Sequence, residues 1–179
     1  MKKATKNQEK VINSVFMYLS VVGVVVMLSI GALAFWAHSF TTSMVRTELA
    51  AQKVYFPNKG SPELDSATYP GLQKYAGQLV DTPEEAKAYA NGYIGEHLRQ
   101  IADGKVYAEV SSESMKDPNN KELQAQKQSL FQGETLRGIL LTSGYGFGTV
   151  GKIAGIVAYV AVAMSVALGL LAMFFKKRS

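Results

Sequence analysis

The sequence contains no cysteine, and it contains only two histidines, His38 and His97. The absence of cysteine excludes disulfides, thiolate metal ligands and lipoprotein processing at a cysteine. A zinc site would have to combine His97 with carboxylates such as Glu96 or Asp103, but neighbouring helix positions point in different directions. His38 lies among aromatic residues at the end of an apolar segment, where a boundary histidine is more common than a haem ligand. We therefore predict no catalytic residues, no metal site and no cofactor.

Charged side chains are also missing from two long stretches, residues 11–45 and 153–175. A helix that crosses a hydrocarbon core about 30 Å thick needs about 20 apolar residues at 1.5 Å each, so both stretches are long enough to span a membrane. The sequence predicts an all-α membrane protein with transmembrane helices at 14–38 and 151–175. Between them we predict a small, mainly helical extracytoplasmic domain at 39–150.

The basic residues predict the orientation. The tails at 1–13 and 176–179 carry the following basic residues: Lys2, Lys3, Lys6, Lys10, Lys176, Lys177 and Arg178. Because short cytoplasmic segments carry an excess of Lys and Arg, we expect both tails on the cytoplasmic side of the membrane. The stretch between the spans, from 46 to 137, has 13 acidic and 11 basic residues, so the net charge of +5 reflects topology and does not indicate nucleic-acid binding.

A cleaved signal peptide is an alternative account of the N-terminus. Ala32-Leu33-Ala34 resembles a cleavage site behind a basic start. The apolar run before it, however, begins at Val11 and exceeds the roughly 7–15 residues of a signal-peptide core. The length favours an uncleaved anchor.

Helical signals dominate the middle of the chain. Thr82-Pro83-Glu84-Glu85 has the capping residues that begin a helix, and Gly104 predicts its end. The apolar residues of this helix recur at spacings of three and four and predict one buried stripe: Ala86, Tyr89, Ala90, Tyr93, Ile94, Leu98 and Ile101. We predict further helices at 106–115, at 119–131 after a cap at Asp117-Pro118, and at 134–143, the last with its apolar face toward the lipid headgroups. Residues 52–70 predict an irregular loop anchored by Tyr55 and Phe56.

A glycine-rich segment, Gly146-Phe147-Gly148-Thr149-Val150-Gly151, matches the dinucleotide-binding fingerprint. That fingerprint requires a buried strand before it and an acidic residue about 20 positions later, whereas no Asp or Glu follows Glu134 here. We interpret the match as accidental. We expect the glycines around this segment to let the backbone turn and pack closely where the outer domain meets the lipid surface: Gly144, Gly146, Gly148 and Gly151. Tyr145 and Phe147 would be interfacial aromatics there, as Trp36 and Phe40 would be at the end of the first span.

Small residues form one face of the second span: Ala154, Ala158, Ala161, Ser165, Gly169 and Ala172. The first span has a weaker version of this face: Ser20, Gly23, Gly31 and Ala34. Small residues permit close contact between helices in lipid. Two interpretations are open, because the faces either pack on each other or dock on a larger membrane protein. Neither span has an internal charged residue, which disfavours transport by this chain alone.

Four strings carry a resemblance to a known family: Val54-Tyr55-Phe56-Pro57, Pro70-Gly71-Leu72-Gln73-Lys74-Tyr75-Ala76-Gly77-Gln78, Phe131-Gln132-Gly133-Glu134-Thr135-Leu136-Arg137-Gly138 and Gly146-Phe147-Gly148-Thr149-Val150-Gly151. From about residue 49 to 162 the chain resembles small two-span actinobacterial membrane proteins. Members are often labelled aromatic ring-opening dioxygenases, an activity that needs an iron site, which two separated histidines do not supply.

The same family resembles an accessory factor of the actinobacterial respiratory supercomplex of cytochrome bcc and cytochrome oxidase. The resemblance implies a non-enzymatic accessory subunit that scaffolds such a complex. Its partners would be other membrane protein subunits and lipid, with no nucleic acid. The alternative, from a different class, is an independent cell-envelope protein, either a sensor or a cell-wall enzyme, whose outer domain is the working part.

Overall fold

The computed structural model describes residues 2–179, with side chains from Lys6 onward; Met1 and the side chains before Lys6, all in the predicted tail 1–13, lie outside the described residues. About 80% of the chain is helical, and the described residues contain no strand. The described residues form six α-helices, in order: α1 Lys2–Ala51, α2 Pro83–Lys87, α3 Gly95–Ile101, α4 Tyr107–Lys116, α5 Lys121–Ile139 and α6 Phe147–Lys176. Two π-helical stretches, Ala88–Ile94 and Leu140–Gly146, continue α2 into α3 and α5 into α6.

The chain divides into two compact units. Residues up to Phe40 together with Val150–Ser179 form one unit, here called the two-helix unit, and Thr41–Thr149 form the other, the central unit. The helix Lys6–Ala51 and the helix Lys121–Lys176 are each long and apolar enough to cross a membrane. The predicted spans at 14–38 and 151–175 lie inside these longer helices.

The helix that begins after Thr82 was correctly predicted. The Thr82 hydroxyl accepts a hydrogen bond from the Glu85 backbone N–H at 3.3 Å, and the Glu85 carboxylate accepts one from the Thr82 N–H at 2.9 Å. These two bonds satisfy backbone donors that a helix start leaves without partners. The helix ends at Ile101, followed by positive φ angles at Asp103 and Gly104, of 50° and 80°.

The predicted apolar stripe of this helix forms much of the core of the central unit. Ala86, Ala90, Ile94 and Leu98 are buried. The remaining members of the stripe, Tyr89, Tyr93 and Ile101, are half-buried. The core also includes the following residues: Val45, Leu49, Phe56, Leu64, Tyr69, Leu72, Val80, Ala102, Val110, Leu130 and Leu140. Burial of this set supplies the main stabilisation of the central unit.

Between α1 and α2 the chain is irregular apart from two short 3₁₀ turns, Pro62–Leu64 and Pro70–Tyr75. Phe56 is 1% exposed, and its backbone N–H donates to the Gln78 carbonyl at 2.9 Å. Tyr55 is 56% exposed. The prediction that both aromatics anchor this loop was therefore right for Phe56 and wrong for Tyr55.

The second half of the chain differs from the prediction. We expected separate helices at 119–131 and 134–143 and a turn at the glycines that follow, but the chain is helical without a break from Lys121 to Lys176. A glycine inside a helix costs only about 1 kcal/mol relative to alanine, so glycines alone do not end a helix. The cap of α5 is Asn120, whose side chain accepts from the Leu123 N–H at 3.1 Å, and not the predicted Asp117.

Several glycines of this long helix make room for neighbours. A Cβ placed on Gly144 would lie 2.8 Å from the Ala86 Cβ and 3.3 Å from the Leu49 Cδ2. A Cβ on Gly148 would collide with the Pro83 ring. The expectation that these glycines allow close packing is confirmed, whereas the expectation that they turn the backbone was wrong.

Arg137 connects α5 to the π-helical stretch Ala88–Ile94. Its Nε donates to the Ala90 carbonyl at 3.0 Å, and its Nη2 donates to the Asn91 Oδ1 at 3.1 Å. Its Nη1 also donates to the Glu134 carboxylate at 2.8 Å. The guanidinium thereby fixes the rotation of α5 against the neighbouring helix.

Candidate functional site

The predicted small-residue faces lie in the two-helix unit, where α1 and α6 pack in antiparallel fashion. At one end the Phe16 and Phe175 rings stack with centroids 5.3 Å apart. Midway, a Cβ placed on Gly31 would lie 3.5 Å from the Ala161 Cβ and 3.7 Å from the Ala158 carbonyl oxygen. The small side chains thus let the two backbones approach closely, as the sequence pattern predicts for helix pairs in lipid.

At the other end, His38 joins the two helices. Its Nδ1 lies 2.8 Å from the Gly151 carbonyl oxygen, and because a carbonyl only accepts, Nδ1 carries the proton that is donated. A Cβ on Gly155 would lie 2.9 Å from the same nitrogen, so the ring occupies space that only glycine leaves open. Gly151 and Gly155 extend the small-residue face of α6 by another turn, and His38 of α1 packs against them. Gly151 was predicted as a close-packing glycine and His38 as a boundary histidine. Sequence reasoning missed Gly155 and the contact of His38 with both glycines, although the four-residue spacing of the two glycines was a visible signal.

The residues of the two predicted small-residue faces differ in how deeply they are buried. Ala158, Ala161 and Ser165 are buried in the two-helix unit. Gly31 is also buried, whereas the remaining predicted residues are half-buried: Ala154, Gly169, Ala172 and Gly23. The segment of α1 around Gly31 covers Ala158 and Ala161, so this part of the face is occupied within the chain. Gly169 is different, because a Cβ there would have no heavy atom within 4 Å. Contact of any of these residues with another protein stays a prediction.

Polar groups inside this contact are satisfied. Ser165 Oγ donates to the Val162 carbonyl at 2.7 Å, and Ser20 Oγ donates to the Phe16 carbonyl at 2.8 Å. An unpaired hydroxyl would be costly in an apolar environment, and these bonds within the helix avoid that cost. The contact is therefore compatible with a hydrocarbon surrounding.

The predicted interfacial aromatics have different environments. Trp36 and Phe40 are one helical turn apart, stack at 5.6 Å and are exposed. In the central unit, Tyr145 is half-buried, and the Lys87 ammonium lies 4.5 Å from its ring centroid and 3.3 Å from its hydroxyl oxygen. Phe147 is exposed. A role for these four residues at a membrane surface stays a prediction.

An apolar groove in the central unit was not foreseen. It has a volume of about 250 Å³ and lies between the α1 residues after Phe40 and the end of α5. Its lining is mainly apolar: Met44, Val45, Glu48, Leu49, Gln52, Val54, Leu136, Ile139, Leu140 and Ser143. Leu136 is 41% exposed and Ile139 is 56% exposed at this groove. No sequence signal combines these residues, because they come from segments about 90 positions apart.

Tyrosine rings form a cluster elsewhere in the central unit. Tyr89 contacts both Tyr93 and Phe56, with ring centroids 5.0 and 5.1 Å apart, and Tyr93 contacts Tyr69 at 5.5 Å. Burial raises the pKa of Tyr89, and the neighbouring Tyr93 raises it further. Burial is also the main cause that raises the pKa of Tyr69 and of Tyr93. The phenols therefore stay neutral at physiological pH and act as core side chains.

The residues considered for chemistry are scattered. His97 is exposed on α3, and the described residues include no group of three or more acidic or histidine side chains that could hold a metal ion. The Gly146–Gly151 segment lies inside a continuous helix, whereas the dinucleotide fingerprint needs a strand, a tight turn and a helix start. The segment thus lacks the geometry that cradles a pyrophosphate.

Neither protein-family models nor curated proteins nor solved structures match this chain. The fold defines the class of the protein at a coarse level. It is a helical protein with two helices that are long and apolar enough to cross a membrane.

Proposed function

We propose that this protein is a non-catalytic accessory subunit that scaffolds a large membrane complex in a bacterial cell membrane. Both termini would be cytoplasmic, and the central unit would lie outside the cytoplasm. The observation that supports the proposal is the apolar groove of the central unit, with its exposed Leu136 and Ile139. A unit with its own core does not need to leave large apolar side chains beside a groove, and such surfaces mark interaction sites.

The size of the groove favours a protein partner over a substrate. Its 250 Å³ is below the roughly 300–1,000 Å³ of typical small-molecule sites, but it is large enough for one or two apolar side chains. Protein interfaces concentrate their binding energy in a few such anchoring side chains. We therefore expect a side chain of a partner subunit to occupy this groove.

The resemblance of the sequence to the actinobacterial family indicates the kind of partner. Val54 and Leu136 each belong to one of the strings that resemble the actinobacterial family, and both line the groove. We propose that the complex is a respiratory supercomplex of cytochrome bcc and cytochrome oxidase. A subunit of that complex would be recovered with the protein in fixed stoichiometry.

Purification through a tag on the C-terminus, in mild detergent, tests this proposal. The expected result is co-purification of haem-containing subunits, measured as the reduced-minus-oxidised haem absorbance per tagged chain and by identification of the proteins. Ile139→Asp places a charge in the groove and should lower the recovered haem at least about tenfold, as the loss of an anchoring contact does. Met115→Asp is the control, because Met115 is an exposed apolar residue of α4 that does not line the groove.

Two outcomes would contradict the proposal. Recovery of the chain without haem proteins would favour the independent envelope protein, a sensor or a cell-wall enzyme. Equal haem recovery for Ile139→Asp and the unmodified chain would show that the groove is not part of the interface.

The orientation has its own test, which uses the absence of native cysteine. We expect Lys116→Cys to react with a membrane-impermeant thiol reagent in intact cells and Lys6→Cys to react only after permeabilisation, because the basic tails are expected inside. Both side chains are exposed, so accessibility of the thiol depends on its side of the membrane. Labelling of Lys6→Cys but not of Lys116→Cys in intact cells would reverse the proposed topology.

A further inference from the structure

The two basic tails meet at one end of the two-helix unit. Asn13 Nδ2 on α1 donates to the Arg178 carbonyl at 3.1 Å, and one turn further along α1 the Phe16 ring stacks on Phe175. The tails are separated by more than 160 positions in the sequence, so only the antiparallel packing of α1 and α6 brings their charges together.

The charges at this end are strongly biased in sign. Five basic side chains are exposed there: Lys6, Lys10, Lys176, Lys177 and Arg178. Glu9 is the one acidic residue before Glu48, and none follows Glu134. An open groove of about 490 Å³ lies between the tails, lined by Glu9, Ile12, Asn13 and Arg178.

The same end also offers apolar surface. The guanidinium carbon of Arg178 lies 4.1 Å from the Phe174 ring centroid, which positions the charged group against an aromatic face. Ile12, Phe16 and Phe174 are exposed beside it. A ligand that combines phosphate with hydrocarbon matches this arrangement better than a free anion does, because the apolar side chains would have no partner on an ion.

We infer that this end of the two-helix unit binds the headgroup of an anionic phospholipid, with phosphate contacts from Arg178, which lines the groove, and from the exposed Lys10, which adjoins the groove-lining Glu9. Guanidinium and ammonium groups form charge-assisted hydrogen bonds with phosphate oxygens, and two converging tails suit a headgroup that carries two phosphates. The carboxylate of Glu9 repels an anion in the groove and therefore limits the affinity for the headgroup. This inference depends on insertion of the two helices in a membrane and is independent of the scaffolding role.

The test is a lipid titration of the full chain in detergent micelles, followed by native mass spectrometry. The probes are cardiolipin, which carries two phosphates, and phosphatidylcholine, which has no net charge. We expect retention of cardiolipin but not of phosphatidylcholine. The double variant Lys10→Gln with Arg178→Gln should weaken retention about 30-fold, since each basic residue at the membrane surface contributes about fivefold.

A charge-matched double variant, Lys59→Gln with Lys116→Gln in the central unit, should retain cardiolipin as the unmodified chain does. Glu9→Gln should strengthen retention, a gain that cannot arise from damage to the fold. Equal retention of both lipids would overturn the inference. Equal losses in the two double variants would do so as well, since net charge alone would then account for binding. Displacement of cardiolipin by millimolar inorganic phosphate would show that the site selects a free anion and would refute the lipid assignment.

Discussion

Gly144→Leu is expected to destabilise the central unit by about 3 kcal/mol, because overpacking of a tight core forces side chains and backbone to move. A Cβ at this position would already lie 2.8 Å from the Ala86 Cβ and 3.3 Å from the Leu49 Cδ2. Ala86 is fully buried and has no side-chain torsion that could relieve the contact. The added leucine would therefore separate the Leu140–Gly146 stretch from α2.

The matched control is Gly138→Leu, six residues earlier in the same continuous helix. Gly138 is exposed, and a Cβ there meets no heavy atom within 4 Å. Its replacement should stabilise the helix by about 0.5–1 kcal/mol through helix propensity alone. Amide hydrogen exchange of α2 and α3 in the full chain measures both effects. Unchanged protection in Gly144→Leu, or equal loss in both variants, would contradict the packing described for Gly144.

Gly31→Leu is expected to separate α1 from α6 in the two-helix unit. The first added carbon would already contact the Ala161 Cβ at 3.5 Å and the Ala158 carbonyl oxygen at 3.7 Å, and because Gly31 is buried the larger side chain would press against α6. Helix pairs in lipid depend on such close packing, so their association should weaken about tenfold. The measurement is the yield of a short bismaleimide cross-link between Phe16→Cys and Phe175→Cys, in a chain with no other thiol.

Gly169→Leu is the control for this experiment, since a Cβ there would have no heavy atom within 4 Å. Its cross-link yield should equal that of the parent pair. The same variant also distinguishes the two interpretations of the small-residue face. Loss of partner subunits with an intact cross-link would show that α6 docks on another protein beyond its contact with α1. A full cross-link yield in Gly31→Leu would contradict the α1–α6 contact itself.

Local signals in the sequence were sufficient for several elements of this protein. The two long apolar helices follow from runs without charge, a pattern typical of helices that are able to cross a membrane. The start at Thr82 and the end near Gly104 follow from capping chemistry, which involves only neighbouring residues. The buried stripe from Ala86 to Leu98 follows from helical periodicity.

Other features depend on contacts between distant segments. Gly144 and Gly148 suggested a turn in the sequence, yet they lie in a continuous helix. Their lack of a side chain serves packing, because Ala86 and Pro83 lie where a Cβ would be. Tyr55 and Phe56 are equivalent as a local pattern, and only the tertiary contacts of the Phe56 ring with Tyr75 and Tyr89 distinguish the buried ring from the exposed one.

The candidate sites also include some that the sequence predicts and some that depend on contacts between distant segments. Spacing alone identified the small-residue face of α6, because residues three and four apart share one side of a helix. Spacing could not predict which helix packs on that face. In the structure, α1 around Gly31 covers Ala158 and Ala161. The apolar groove and the meeting of the basic tails bring together residues about 90 and more than 160 positions apart. Such juxtapositions arise from packing of whole helices, whose relative placement no local pattern of residues encodes.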